Sequence, residues 1–108
     1  MLKEMIKVET YIPDSHVDEL REKLNQIRAL TIDDIYDNCI TTSKVTSYWR
    51  PLEGANPFLG EIGVLAKEEE LKIEFCCNRD MMEKVIEIIK EVHPYEKPVI
   101  NIIGLVQI

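Results

Sequence analysis

Glycine is scarce in this chain, at four residues in 108, and three of the four fall between Gly54 and Gly63. So sparse a set excludes a glycine-rich phosphate cradle of the Walker or Rossmann type. Cysteine is scarcer still. Cys39, Cys76 and Cys77 are odd in number, and two of them are adjacent. Adjacent cysteines seldom pair with each other, so a disulfide framework is not expected and reduced thiols in the cytoplasm are. No run approaches the ~20 apolar residues of a membrane-spanning helix. The N-terminal stretch Met1 to Met5 is charged and leads straight into a strand pattern, so no signal peptide is expected. Basic residues are outnumbered, thirteen against twenty acidic ones, for a net charge of −7. That balance argues against nucleic acid as a partner, because such affinity comes from neutralising phosphates.

What is present reads as one soluble domain over residues 1–108. The hydrophobic fraction is 45%, enough to exclude disorder. A chain of this length buries roughly 65% of its unfolded surface, which supports one modest core. Residues 5–12 alternate, with Ile6, Val8, Thr10 and Ile12 on one side and Lys7, Glu9 and Tyr11 on the other, as a half-buried strand does. Pro13 ends it, and Asp14 or Ser15 is expected to cap a helix that ends near Ala29. Val17, Leu20, Leu24 and Ile27 form its apolar stripe, and His16 in its first turn is expected to be exposed. A β-branched stretch over 31–50 predicts a second strand, with a break near Ser43–Lys44. Residues 51–63 are a long loop. The charge run Lys67 to Glu70 is expected to be a solvated lead into a third strand, Leu71 to Cys77. Asn78 or Asp80 then caps a second helix whose stripe is Met82, Val85, Ile86, Ile89 and Val92, with His93–Pro94 stopping it. Met81 and Met82 read as core rather than as a copper ligand set. A last strand runs from about Pro98 to Ile108 and is apolar on both faces.

Strand–helix–strand–strand–helix–strand is two interleaved βαβ units. The expected fold is α+β, a ferredoxin-like βαββαβ sandwich with a four-stranded antiparallel sheet and both helices on one face. Its second face would then lie bare, and a last strand that is apolar on both sides would sit at an edge. Aliphatic side chains left in water there would invite aggregation, so a homo-oligomer is expected to cover them.

Three segments carry the candidate chemistry. Arg50 to Gly60, RPLEGANPFLG, holds two prolines, two glycines and a Phe58–Leu59 anchor. It reads either as a loop ordered by its own prolines or as a loop that contacts a ligand or partner at a subunit boundary. His93 to Pro98, HPYEKP, joins a helix to an edge strand. It reads as a structural connector, or as a His93/Glu96 pair for acid–base or metal chemistry. A protonated His93 at the helix end would also suit the helix dipole. Tyr36 to Cys39, YDNC, places one thiol that is most simply a small core residue on a strand. A soft-metal site from Cys39, one of Cys76 and Cys77, and a histidine lacks any CxxC or HxxxH spacing.

YDNC, RPLEGANPFLG and HPYEKP together resemble the domain inserted into bacterial Nif-three-like proteins, from Lys7 to about Gly104. Those are dinuclear-metal hexamers often labelled GTP cyclohydrolase type 2 homologues. The resemblance implies a fold like that of the CutA and PII proteins, ferredoxin-like and trimeric. It implies no catalytic role, because the hosts hold their metal ligands in flanking domains that this chain does not contain. Three departures stand out: Ala29 to Asp34 and Ser43 to Ser47 replace glycine-bearing connections, and Lys97 stands where an acid is common.

The expected function is therefore a non-enzymatic, oligomeric binding or regulatory module, with a trimer favoured and a small molecule or protein as its partner. Arg50, Glu53, Asn56, His93, Tyr95 and Glu96 would line a cleft between subunits. The alternative is a CutA-type divalent-metal protein, holding copper or zinc through His93, Glu96 and Cys39; no other cofactor is expected. An enzyme built on Cys39 or His93, and a PII-like nucleotide sensor using Lys44, Arg50 and Arg79, are the remaining rivals. No membrane partner is expected.

Overall fold

Four strands and two helices follow one another in the computed structural model, which describes residues 3–107. They are β1 (Lys3–Ile12), α1 (Val17–Gln26), β2 (Thr41–Trp49), β3 (Ala66–Asn78), α2 (Met82–Val92) and β4 (Ile100–Gln107). The sheet is antiparallel throughout, in the order β2-β3-β1-β4. This is the α+β, ferredoxin-like arrangement, with β4 at an edge. Ile108, expected in the last strand, lies outside the described residues.

The core sits between the helices and one sheet face. Ile6, Val8 and Ile12 of β1 and Ile73, Phe75 and Cys77 of β3 meet Leu20 and Leu24 of α1 and Val85, Ile89 and Val92 of α2. Each large aliphatic buried this way contributes about 1.5–3 kcal/mol. Thr10 shares that face and is fully buried, and its Oγ1 donates to the Val99 carbonyl at 2.7 Å. The bond satisfies a buried hydroxyl and ties β1 to the start of β4.

Several local expectations change. Residues 31–40 are a folded loop, not strand, and β2 starts at Thr41 and runs unbroken through Ser43–Lys44. Arg28, Asp33, Asp34 and Asn38 all take left-handed backbone angles, φ 52 to 66°, which extended pairing forbids. The loop is clamped to α1 instead: the Asn38 amide donates to Asn25 Oδ1 at 2.8 Å, and Arg21 donates to Asn38 Oδ1 at 2.6 Å. Helix α1 stops at Gln26, short of Ala29. Neither helix has a side-chain cap. Each starts from a 3-10 turn, Asp14–His16 or Arg79–Met81, and Ser15 Oγ pairs with His16 Nδ1 at 2.9 Å. His16 is half-buried rather than exposed, with its ring edge-on to Phe58 at 6.2 Å.

The face away from the helices is not uniformly apolar. Its centre is a closed ladder of Lys7, Glu74, Lys72 and Glu9, with N–O distances of 2.7 to 3.5 Å. Exposed aliphatics gather along the β4 edge, at Val99, Ile103 and Val106. Ile100 and Ile102 pack on the core from the helix side of the strand, the side that also carries Val106, whereas Val99 and Ile103 lie on the opposite side.

Candidate functional site

The β2–β3 hairpin overhangs β1. Its register continues to Trp49 and Ala66, whereas β1 reaches only Ile12 opposite Leu71. Strand alternation puts Glu70, Lys72 and Glu74 on one face of β3, so the overhang carries Glu70 beyond the ion-pair ladder. The charge run Lys67 to Glu70 is thus part of a strand, and Glu70 is 5% exposed instead of solvated.

What buries Glu70 is the meeting of two segments distant in sequence. The loop after Trp49 doubles back, with Pro51 buried and its carbonyl accepting the Gly63 amide at 2.7 Å. Trp49 Nε1 donates to the Leu59 carbonyl at 3.3 Å. The connector after α2 comes up against this loop, and Glu96 Oε1 accepts the Asn56 amide at 2.8 Å. The Tyr95 ring lies 5.7 Å from Trp49, 6.1 Å from Phe58 and 4.7 Å from His93. The result is a cavity of about 600 Å³ walled by Tyr11, Trp49, Leu52, Phe58 and Tyr95, with Arg50, Glu96 and Lys97 also lining it. The two segments expected to meet across a subunit boundary meet within one chain.

Of the expected cleft residues, Arg50, Tyr95 and Glu96 line the cavity. Asn56 holds Glu96 through its backbone, and Glu53 is exposed on the turn that follows Leu52. His93 stands behind Tyr95. Its Nε2 is 2.6 Å from the Tyr11 carbonyl and its Nδ1 accepts the Tyr95 amide at 3.2 Å. A carbonyl only accepts and an amide only donates, so the ring is the neutral Nε2–H tautomer with both nitrogens in use. Burial pushes its pKa below the ordinary histidine value, only partly offset by the Tyr11 bond and the charge of Glu70. The ring is therefore neutral at the helix end, not a dipole-pairing cation.

Two polar atoms in this cleft stand without hydrogen-bond partners among the described residues: Glu70 Oε2 and the Tyr95 hydroxyl. Burial first, then the neighbouring Glu70 carboxylate, pushes the Tyr95 phenol well above its usual value. Glu70 acts on the phenol partly as a hydrogen-bond partner, so phenol and carboxylate lie side by side, although no bond of ordinary geometry joins Glu70 Oε2 or the hydroxyl to a described residue. Sequence reading missed Glu70, Tyr11 and Trp49. Extending the period of β3 by one residue towards its N-terminus puts Glu70 on the face of Lys72, but only the covering loop shows that it is buried.

Cys39 lies elsewhere. It lines a broad concavity of about 980 Å³ with Met5, Cys76, Cys77 and Asn78, at the opposite end of β1 and β3. Met5 and Tyr11 are about 20 Å apart along an extended strand. His93, Glu96 and Cys39 are thus not brought together, and Cys39 is on a loop, its thiol 3.5 Å from the Asp37 carbonyl. Among the described residues no three of His, Cys, Asp and Glu gather as a metal site. Cys77 is in the core, where burial pushes its thiol up to about 11.

The "GTP cyclohydrolase 1 type 2 homolog" of Halalkalibacterium halodurans is 37% identical over 101 residues, which are 94% of this chain and 27% of that protein. A Bacillus cereus protein related to NIF3 superposes with a TM-score of 0.81 at 30% identity, over 97% of this chain and 26% of that one. This chain is a homologue of one segment of NIF3-like proteins. It spans about a quarter of the length of the curated relatives it matches. Pyrococcus horikoshii CutA superposes with a TM-score of 0.70 at 23% identity, over 93% of this chain and 83% of that one, a likeness of fold alone. No protein-family model matches the chain. No described helix is long and apolar enough to cross a membrane.

Proposed function

We propose that this NIF3-like segment is a non-catalytic, homo-oligomeric binding module whose aromatic cleft takes a small organic molecule. The observation that carries the reading is the convergence of the 50–63 loop and the 93–98 connector on that cleft, locked by the bond from Asn56 to Glu96. A cavity of about 600 Å³ falls within the range of small-molecule sites, and its wall of rings with few polar groups has their usual character. The absence of catalysis rests on His93, whose two nitrogens are spent on backbone partners, and on Cys39, which is remote from it. The cyclohydrolase in the relatives' name describes proteins about four times as long, and none of that activity is assigned to this chain. Oligomerisation rests on the exposed aliphatics of the β4 edge, with a trimer favoured and the cytoplasm as the setting.

Native mass spectrometry of the protein purified from cells tests this. The expected species is a closed oligomer bearing one small organic mass per chain, lost in Tyr95→Ala. Bare protein that also captures nothing from a small-molecule extract overturns the binding reading. A monomer overturns the oligomer and leaves the cleft intact.

A further inference from the structure

Glu70 is an acidic side chain nine-tenths buried that lines a cavity, and one of its carboxylate oxygens is closed to water and left without a partner. Leaving such an oxygen unbonded in a protein interior is costly. The hydroxyl of Tyr95, in the same cleft, is also unbonded. Glu70 is close enough to act on the phenol as a hydrogen-bond partner, yet no bond of ordinary geometry joins them, so a donor placed beside both completes what the pair alone does not. Arg50 and Lys97 line the same cavity, and neither donates to Glu70 Oε2. Both cations are exposed, whereas Glu68, on the Glu70 face of β3, adds a second negative charge felt by Tyr95. Around this acidic end stand Trp49, Tyr95, Tyr11 and Phe58, whose ring faces carry negative charge. Buried carboxylate, spare hydroxyl and aromatic wall all favour the same kind of guest.

We propose that the cleft selects a small organic cation, a primary ammonium or guanidinium group on a compact apolar body. Its N–H groups donate to Glu70 Oε2 and to the Tyr95 oxygen, while its body lies among the rings of Trp49 and Phe58. The inference rests on the cleft being a small-molecule site, and it adds the charge and head group of the ligand. A neutral alcohol of the same shape reaches the same rings but offers Glu70 one uncharged donor. The cation adds an opposite charge next to the carboxylate and more than one N–H donor, neither of which the alcohol supplies, so it is expected to bind about tenfold tighter or more.

Trp49 is the single tryptophan of the chain and lines the cleft, so its fluorescence reports occupancy directly. Phenethylamine, methylguanidinium and the neutral 2-phenylethanol are titrated against the wild type, Glu70→Gln and Tyr95→Phe. Saturable quenching by phenethylamine, about tenfold tighter than by 2-phenylethanol, is expected in the wild type. Glu70→Gln should erase that preference while thermal melting confirms a folded protein. Tyr95→Phe, which keeps the ring, should reduce it in part and guards against a Glu70 variant that does not fold. Equal binding of amine and alcohol in the wild type, or a preference that survives Glu70→Gln, overturns the cation and keeps the cleft. No saturable change with any of the three compounds overturns both.

Discussion

His93 carries its proton on Nε2 because the Tyr11 carbonyl needs a donor and the Tyr95 amide needs an acceptor. Its pKa in the fold lies below the ordinary value because burial disfavours the imidazolium. The unfolded chain therefore takes the proton first as pH falls. The stabilisation from a neutral His93 is whole above the unfolded value of about 6.5 and drains away as pH drops from there towards the folded one. The melting temperature is expected to fall between about pH 7.5 and pH 5.5. In His93→Gln, whose amide can still donate to Tyr11, melting should start lower and fall less over the same range; parallel curves would refute the assignment. The importance of His93, Tyr95 and Glu96 was legible because HPYE is an unusual cluster after a helix. The job of each was not. Whether an imidazole is a base or a brace depends on which backbone atoms face its nitrogens, and Tyr11 is 82 residues away.

At the scale of elements, the periodic segments declared themselves and the loops did not. Helix α2 buries Val85, Ile89 and Val92 as its 3.6-residue stripe requires. The 50–65 loop instead depends on particular backbone angles. Gly60 has φ +99°, and a Cβ there would lie 3.4 Å from both Pro51 Cγ and Trp49 Nε1. Gly60→Ala therefore meets a strained backbone and a crowded indole together. It is expected to destabilise the chain by about 1–3 kcal/mol in urea unfolding and to shift the emission of Trp49 in the native state. An unchanged midpoint and spectrum would show that the loop does not hold the cleft wall. The stretch 31–40 misled for a related reason. Its β-branched residues favour a strand by propensity, but three left-handed positions, Asp33, Asp34 and Asn38, and the Asn38 clamp to α1 override it.

For the whole molecule, the overhanging hairpin gives an elongated body of 51 × 24 × 22 Å. The helices cover one sheet face. The other has a charged centre, and along the β4 edge Ile103 is exposed on this face and Val106 on the helix side; that edge is where association is expected. Lysine at both Ile103 and Val106 leaves Ile100 and Ile102 in the core, so the fold should survive. Sedimentation of Ile103→Lys/Val106→Lys is expected to show a smaller particle than the wild type, with unchanged circular dichroism. Equal sedimentation of the two would move the interface away from β4. An edge strand that is apolar on both sides was readable from alternation. The ion-pair ladder was not, because Lys7, Glu9, Lys72 and Glu74 come from two strands whose register only the pairing defines.

Element order, sheet topology and the helix-facing core follow from periods of two and 3.6, which are properties of neighbouring residues and need no knowledge of distant ones. The cleft is of another kind. Glu70 sits in a run of charged residues and looks like surface until a loop and a connector forty residues apart close over it. Burial of a charge is decided by what covers it, and the separation of Cys39 from His93 is decided by which end of β1 each one reaches. Both are distances through space, and only the folded chain sets them.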